Sequence, residues 1–440
     1  MNSLQYGLTP KMKPISPKRA AVVAAIDIGT NKIACLIARL RPHAPQEVLR
    51  RRSHAVEIIG FGHTGARGMK AGNVVELVEV EEALRQAVDL AERMAKVRIE
   101  SVVMSISAGR IESELMAASV NVSGTMVSDS DVERVLAACS RRSVRDGRVV
   151  LHSIPVSFTL DDARGIRDPR GMLARRFGVD MNVVTSDIAT ARNLMLTVER
   201  CHLDIEAMAV APYVAGLSAL ADDEADLGAA LVDLGAGTTT MAVFSGGRLL
   251  HADGFALGGH HVTTDLARGL SCSVQDAERI KTLYGSVLAG GSDERDMITV
   301  PLVGDDDREP PQFVSRATLM RIVKPRVEEI LEMVRDRLYK SPFAAEPRAR
   351  IVLTGGASQL TGLPELAARM LGRPVRIGRP LGIAGLPDAA KGPAFAVAAG
   401  LLVYPQAAHL ERFEPRRTRH LMTGTGGYIT RVGRWLRESF

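Results

Sequence analysis

Aromatic residues and cysteines are scarce in this chain. Only 4% of the 440 residues are aromatic, so the cores must be built from Ala, Val, Leu and Ile, which favours α/β packing over a β-sandwich. The four cysteines lie far apart without a CxxC pair, which excludes the usual patterns of zinc sites and disulfide frameworks. Residues 1–20 contain three prolines and lack the apolar segment of a signal peptide. We therefore expect a cytosolic α/β protein of several domains, with residues 1–20 as a disordered basic lead-in.

Positive charge is concentrated at the two ends of the chain. The formal net charge is +6, and residues 1–20 and 405–440 each carry +4, which leaves −2 for the body. A near-neutral body argues against a basic groove for nucleic acid. The two basic ends instead favour contact with an anionic surface.

Two predicted β-hairpins have Gly and Thr at their tips. In the first, a strand over 21–28 and a second strand over 33–40 flank Asp27, Gly29 and Thr30. In the second, strands over 230–234 and 241–244 flank this set: Asp233, Gly235, Gly237, Thr238 and Thr239. Neither is a Walker loop or a Rossmann fingerprint, because each glycine turn leads into a strand and not into a helix.

Glycine at a hairpin tip lets the backbone come close to a ligand, so that tip amides can point at phosphate oxygens. The aspartates at the strand ends, Asp27 and Asp233, would hold a hydrated Mg²⁺ beside those phosphates. Either hairpin alone is more typical of an ordinary turn with an aspartate. Two copies that face each other would clamp one polyphosphate.

A third element follows downstream. A strand over 351–353 leads through Gly355, Gly356 and Ala357 into a helix over about 363–370. The glycine pair would let the backbone lie against a flat adenine, although a common strand–turn–helix explains the pattern as well. Two Ala-rich stretches, 188–220 and 392–402, favour helices that cross closely.

The last thirteen residues have the periodicity of an amphipathic helix. An arc of roughly 140° would contain the apolar residues, while the arginines fall outside it. The apolar set is Tyr428, Ile429, Val432, Trp435, Leu436 and Phe440, and the basic set is Arg431, Arg434 and Arg437. This helix is too short to span a bilayer but suits the headgroup region of an anionic membrane. A helix docked on its own domain is the alternative, and the Arg- and Gly-containing linker over 405–427 favours the membrane.

The order of these elements resembles the actin-like ATPase superfamily, and within it the FtsA family of bacterial division proteins. The resemblance covers nearly the whole chain. It is carried by residues 26–30, 67–72, 149–155, 198–201, 233–247 and 351–357, and by the terminal WLRxxF pattern of 435–440.

The resemblance implies a two-lobed α/β actin-like ATPase fold around a nucleotide cleft. It places subdomain 1A at 21–100, 180–209 and 378–404, an inserted subdomain 1C at 101–179, subdomain 2A at 210–247 and 325–377, and subdomain 2B at 248–324. A flexible linker at 405–427 and the amphipathic helix at 428–440 would follow.

The resemblance also implies ATP with Mg²⁺ as ligands. Asn31 and Lys32 join the phosphate-binding set, and Glu278 and Lys281 would lie near the ribose and adenine, although a solvated ion pair also fits their spacing. Ala211 stands where vigorous ATPases of the superfamily have a glutamate that orients water, which predicts at most slow hydrolysis and leaves no catalytic residue to assign.

The implied role is to polymerise and to hold FtsZ filaments on the cytoplasmic face of the cell membrane at the division site. Subdomain 2B would grip the C-terminal peptide of FtsZ, with Arg326 pairing with its carboxylates, while a solvated arginine at a helix start is the other interpretation. Subdomain 1C would recruit later division proteins. Two alternatives remain: a PilM-like pilus platform protein, and a small-molecule kinase of the same superfamily.

Overall fold

The computed structural model describes residues 9–43, 49–122, 126–140, 145–290, 294–301, 312–346 and 348–411. The predicted terminal helix and most of the predicted linker lie outside these residues. The strands are β1 (Ala21–Ile28), β2 (Lys32–Pro42), β3 (His54–Gly65), β4 (Met69–Lys70), β5 (Asn73–Val74), β6 (Ser101–Ile106), β7 (Glu112–Asn121), β8 (Arg148–Leu160), β9 (Ala163–Ile166), β10 (Arg176–Asp187), β11 (Asp204–Val210), β12 (Ala229–Leu234), β13 (Thr239–Ser245), β14 (Arg248–Phe255), β15 (Met297–Val300), β16 (Gln312–Ser315), β17 (Arg350–Thr354), β18 (Val375–Ile377) and β19 (Ile383–Ala384). The α-helices are α1 (Leu77–Ala95), α2 (Asp129–Ser140), α3 (Ile188–Arg200), α4 (Ala211–Ala219), α5 (Asp222–Leu227), α6 (Gly259–Leu270), α7 (Val274–Tyr284), α8 (Arg316–Tyr339), α9 (Leu363–Leu371) and α10 (Ala396–Ala407).

Two sheets with the same order of strand directions form the two lobes. The first is β11-β6-β1-β2-β3-β19, in which β1 is parallel to β6 and antiparallel to β2. The second is β14-β13-β12-β17-β18, in which β12 is parallel to β17 and antiparallel to β13. The predicted hairpins are β1–β2 and β12–β13, so each turn lies at the same place in its own sheet.

Helices α4 and α10 join the lobes. Helix α10 packs on β1, β2 and β6, helix α4 packs on β12 and β13, and the two helices pack on each other. Their approach depends on Gly400, since a Cβ atom there would lie 1.7 Å from the carbonyl oxygen of Val214. The close crossing predicted from the small residues is confirmed.

A separate four-stranded sheet, β7-β10-β8-β9, is inserted after β6 and packs against α2. The predicted start of the insertion at residue 101 is wrong, because β6 pairs with β1 and β11 in the first sheet. Its predicted end at 179 is also wrong, because β10 continues through it to Asp187. Likewise β14, assigned to subdomain 2B, pairs with β13 in the second sheet, and α8 runs unbroken across the predicted boundary at 324/325. Long-range strand pairing sets these limits, and the local sequence does not contain it.

Both predicted flexible ends are partly ordered. Thr9 is buried and its hydroxyl donates to the carbonyl oxygen of Val150, and Met12 and Ile15 pack on the core, so the disordered lead-in is wrong from residue 9 onward. The linker predicted to start at 405 is wrong at that point, because Pro405 is a buried residue of α10. Its carbonyl oxygen accepts from the amide of Ile15 at 3.5 Å. Helix packing and the docked N-terminal segment therefore keep Pro405 in α10, although the composition of 405–427 indicates a linker.

Residues Pro393–Leu410 are long and apolar enough to cross a membrane by composition, and within the described residues they are the only such stretch. They are 78% buried inside the protein. This stretch is therefore the core of the lobe junction.

Candidate nucleotide site

The two glycine turns have the same geometry. The amide of Gly29 donates to the carbonyl oxygen of Lys32 at 2.9 Å, and the amide of Gly235 donates to that of Thr238 at 3.0 Å. A Cβ atom on either glycine would lie 2.9 Å and 2.8 Å, respectively, from the same carbonyl oxygen. Each turn is thus too tight for a side chain at its first position, which is why glycine stands there.

The turns face each other across the cleft between the lobes. A Cβ atom on Gly237 would lie 2.4 Å from Oγ1 of Thr30, so the tips are in contact. The Thr30 hydroxyl also accepts from the amide of Gly72 at 2.9 Å. The facing arrangement predicted from the repeat is therefore present.

A cavity of about 200 Å³ lies between the turns and the loop after β17. Ten predicted residues line it: Asp27, Gly29, Thr30, Asn31, Lys32, Asp233, Gly235, Thr238, Gly355 and Gly356. Ser107, Ala211, Ala236, Ala394 and Val397 complete the wall. The predicted Thr239 does not line it, because its side chain is buried and donates to the carbonyl oxygen of Leu257 at 2.8 Å.

Two carboxylates lie at the floor of this cavity. Burial raises the pKa of Asp27, which the Lys32 ammonium and the hydroxyl of Ser105 at 2.7 Å oppose. Burial, and then the charge of Asp27, raise the pKa of Asp233 to about 7. Two desolvated carboxylates that repel each other fit a divalent cation between them and the phosphates. No group of three or more His, Cys, Asp and Glu side chains occurs in the described part of the chain, so water and phosphate oxygens would complete its shell.

The Lys32 side chain places a positive charge in the cleft. Its Nζ donates to the carbonyl oxygen of Ala394 at 2.5 Å and lies 3.4 Å from the centre of the Phe395 ring. Burial lowers its pKa, while Asp27 and Asp233 act against that shift. These contacts hold an ammonium group beside the two turns, where it can meet phosphate oxygens. Sequence reasoning missed Ala394 and Phe395, which come from a distant part of the chain.

The loop after β17 packs against the second turn. Gly355 has a φ of +85°, and a Cβ atom there would lie 2.4 Å from Oδ1 of Asp233. A Cβ atom on the neighbouring Gly356 would meet only the Cβ of Ala394, at 4.0 Å, so this backbone is open to the cavity. Such a surface suits the flat face of a base.

Glu278 and Lys281 adjoin this loop without lining the cavity. Lys281 Nζ donates to Glu278 Oε2 at 2.6 Å, to the hydroxyl of Thr263 at 2.8 Å and to the carbonyl oxygen of Gly259 at 3.2 Å. Gly259 in turn lies against Ala357, which a Cβ atom would approach to 2.9 Å. The i,i+3 ion pair is therefore present, but the Lys281 side chain is only 11% exposed, so the lysine end of the pair is not solvated. The sequence analysis missed Thr263 and Gly259, although the Gly-Gly step at the start of α6 was a usable signal.

Arg326 lies far along the chain from these turns, inside α8 and not at a helix start. Its Nε donates to Oδ2 of Asp265 at 2.6 Å, and Nη1 pairs with Glu329. The Arg326 side chain is 29% exposed. Its assignment to partner binding stays a prediction.

The comparisons with known proteins agree with this geometry. The sequence model of "Cell division protein FtsA" matches residues 230–400, and that of the "SHS2 domain inserted in FTSA" matches residues 108–185, where the inserted sheet lies. The chain is 52% identical over 439 residues to the cell division protein FtsA of Agrobacterium fabrum, covering 100% of this chain and 99% of that relative. It is 34% identical over 426 residues to the FtsA of Escherichia coli, covering 95% of this chain and 98% of that relative.

Solved structures share the fold at low identity. The PilM–PilN type IV pilus biogenesis complex matches with a TM-score of 0.59 at 17% identity, covering 87% of this chain and 98% of that one. MreB5 of Spiroplasma citri bound to ADP matches with a TM-score of 0.52 at 13% identity, covering 89% and 98%. The fold is thus the actin-like ATPase fold, and the full-length identity to curated relatives shows that the chain belongs to the FtsA family of cell division proteins.

Proposed function

We propose that this chain is an ATP-binding, polymerising protein that holds FtsZ filaments on the cytoplasmic face of the cell membrane at the division site. The observation that supports this most is 52% identity, over the whole chain, to a cell division protein FtsA. The inserted sheet supports a second contact, to later division proteins. These roles follow the family resemblance.

The cleft would bind ATP with Mg²⁺. The tip amides of the two turns and Lys32 Nζ would contact the phosphates, Asp27 and Asp233 would hold the hydrated cation, and Gly356 would lie against the base. The cation would neutralise charge on the phosphates when bound. Because the turns come from different lobes, a nucleotide between them would hold the lobes together and favour polymerisation.

Hydrolysis would be slow. Ala211 lines the cavity and has no polar side-chain atom to orient an attacking water. We expect phosphate release below about 1 s⁻¹, since faster turnover is typical of efficient phosphoryl transfer. A malachite-green assay with saturating Mg-ATP measures this, and a faster rate would contradict the proposal.

The membrane contact would come from residues 428–440. A helix of this length is marginal in water, so it would fold on the bilayer, aided by about 1 kcal/mol of attraction per basic residue. One copy would bind weakly. A polymer that presents many copies would bind far more tightly through effective concentration.

Binding of the FtsZ peptide would involve Arg326. For this to occur, a peptide carboxylate must replace Asp265 or Glu329, which now pair with the guanidinium group. Arg326→Glu should weaken binding of a labelled FtsZ C-terminal peptide, measured by fluorescence anisotropy. Unchanged affinity would remove Arg326 from the interface.

Co-sedimentation with anionic liposomes tests the tether. With Mg-ATP and FtsZ present, the intact chain and Trp435→Phe should pellet and carry FtsZ down, whereas Trp435→Glu should stay in the supernatant with FtsZ. The phenylalanine variant is the matched control, since it keeps an apolar ring at the centre of the apolar arc of the predicted terminal helix. If the intact chain and the glutamate variant both stay in the supernatant, the apolar arc packs on protein and the proposed membrane tether is wrong.

The two alternatives make different predictions. A PilM-like platform would bind a short peptide from a pilus membrane protein, but the similarity to the PilM–PilN complex, at 17% identity, shows the fold alone. A kinase would phosphorylate an acceptor, and a panel of sugars and carboxylates tests this. Absence of any phosphorylated product would agree with a tether.

A further inference from the structure

A buried carboxylate lies where the body of the protein meets the C-terminal tail. Oε1 of Glu411, the last residue described, accepts from Nδ1 of His152 and from the hydroxyl of Tyr404, both at 2.8 Å. Oε2 faces Nζ of Lys11 at 3.6 Å. His152 is completely buried, and the Glu411 side chain is 8% exposed. Burial of a carboxylate is costly unless it is paired, so this residue is held in place by specific partners.

The hydrogen bonds of His152 fix its tautomer. Its Nε2 accepts from the backbone amide of Val210 at 2.9 Å, so this nitrogen carries no proton. The ring proton must then lie on Nδ1, where it is donated to Glu411. The imidazole is therefore a directed link from the Val210 amide to the Glu411 carboxylate. It lies within the 149–155 segment, whose role the proposed function leaves open.

Both elements that meet this link begin at the nucleotide cleft. Val210 is the residue before α4, and the next residue, Ala211, lines the cavity. On the other side, Val397 lines the cavity, and Tyr404 lies seven residues further along α10. At 1.5 Å per residue the cluster is about 10 Å from the cleft along that helix.

The packing between these helices leaves little room for independent movement. The ring of His152 packs edge to face on two tyrosines: its centroid lies 5.1 Å from that of Tyr213 in α4 and 5.8 Å from that of Tyr404 in α10. The backbones are in direct contact at Gly400, as described above. A displacement of the start of α4 at the cleft must therefore change the hydrogen bond between the Val210 amide and His152. The hydrogen bond from His152 to Glu411 changes with it.

We propose that the hydrogen-bonded chain Val210–His152–Glu411 couples the root of the C-terminal tail to the nucleotide cleft, so that a bound nucleotide strengthens the hold on Glu411. The inference rests on nucleotide binding at the cleft, as proposed above. Thermodynamic linkage makes the coupling reciprocal: release of Glu411 weakens nucleotide binding by the same factor. His152 and Glu411 are positioning residues here, since neither lines the cavity.

Limited trypsin digestion of the full chain tests this without membrane or FtsZ. The bond after Arg412 adjoins Glu411, and Arg416, Arg417 and Arg419 give sites further along the same tail as an internal control. Mass spectrometry of timed samples gives the ratio of cleavage at 412 to cleavage at the later sites. We expect Mg-ATP to lower this ratio at least threefold.

Substitutions separate coupling from folding. Glu411→Ala should abolish the effect of Mg-ATP on the ratio, whereas Glu411→Gln, which keeps an oxygen acceptor for His152, should retain it. Tyr404→Phe keeps the ring and should reduce the effect, and Glu57→Ala, at an exposed ion pair, should leave it unchanged.

Each contrary outcome is informative. An unchanged ratio in the intact chain, or a full effect of Mg-ATP in Glu411→Ala, overturns the coupling. Failure of a fluorescent ATP analogue to bind overturns the nucleotide proposal and this inference together. Failure in the liposome assay overturns the membrane tether alone, since trypsin digestion involves no vesicles.

Discussion

The two turns of the cleft share their backbone but not their chemistry. In both, an aspartate is the penultimate residue of the first strand, and a glycine amide donates to the carbonyl oxygen three residues later. The residue that supplies this oxygen is Lys32 in the first turn and Thr238 in the second. Asp27 accordingly has an ammonium and a hydroxyl nearby, whereas the charges acting on Asp233 include that of Asp27 itself. A repeated backbone thus gives two tight glycine turns, while the neighbouring side chains place their two carboxylates in different electrostatic surroundings.

The largest expected effect comes from the contact between the turns. Gly237→Val would place side-chain atoms on Thr30 and force the lobes apart, so Mg-ATP binding, measured by calorimetry, should fall below detection. Gly65→Val is the control, because no atom lies within 4 Å of a Cβ at that position. Combining Gly237→Val with Thr30→Ala should restore part of the affinity. If Gly237→Val binds ATP normally, the turns do not act as a pair.

The next effect concerns pH. The pKa of Asp233 is about 7 in the fold and 3.8 ordinarily, so between these values the folded state keeps a proton that the unfolded chain releases. The contribution of Asp233 to the free energy of unfolding, without nucleotide and metal, should therefore be greatest below about pH 4. It should fall by about 4 kcal/mol as the pH rises to 7.

Urea unfolding at pH 5 and pH 7.5 in EDTA measures the slope of the free energy of unfolding against pH. Asp233→Asn should remove most of it, and Asp27→Asn should reduce it, because the charge of Asp27 raises the pKa of Asp233. Asp388→Asn, at an exposed ion pair, should leave the slope in place. An unchanged slope in Asp233→Asn would show that another group titrates.

The Lys32 ammonium group also distinguishes the two turns, with a smaller expected effect on Mg-ATP binding. Lys32→Met keeps the length of the side chain but removes its charge, and should weaken Mg-ATP binding by about 2–3 kcal/mol, as expected for a partly desolvated charge pair. Thr238→Val at the matching position should cost less, about 1 kcal/mol. Equal losses would mean that Lys32 stays with Ala394 and Phe395 when nucleotide is bound.

Local features of the site were predictable from the sequence, because they depend on neighbours in the chain. The hairpins, the glycine tips and the strand–turn–helix after Arg350 follow from periodicity and turn chemistry. The subdomain limits were not predictable, since β6 and β14 belong to their sheets through partners far away in sequence. The start of the linker was misplaced for the same reason: the Arg- and Gly-containing composition of 405–427 indicates a linker, yet burial and the docked segment around Ile15 keep Pro405 in α10.

Ser105 is the smallest test of the difference between the turns, and also of what sequence reasoning missed. Its hydroxyl donates to Oδ1 of Asp27 at 2.7 Å from the neighbouring strand β6, and this bond lowers the pKa of that carboxyl against the effect of burial. Ser105→Ala should therefore raise the pKa of Asp27. Mg-ATP affinity should fall about threefold to tenfold near pH 6, less at pH 8, as expected for a hydrogen bond with a net contribution of about 1 kcal/mol. Ser101→Ala, on the same strand but bonded to the exposed carboxylate of Glu206, is the control. An equal loss at both pH values would mean that Ser105 positions the carboxylate without influencing its charge.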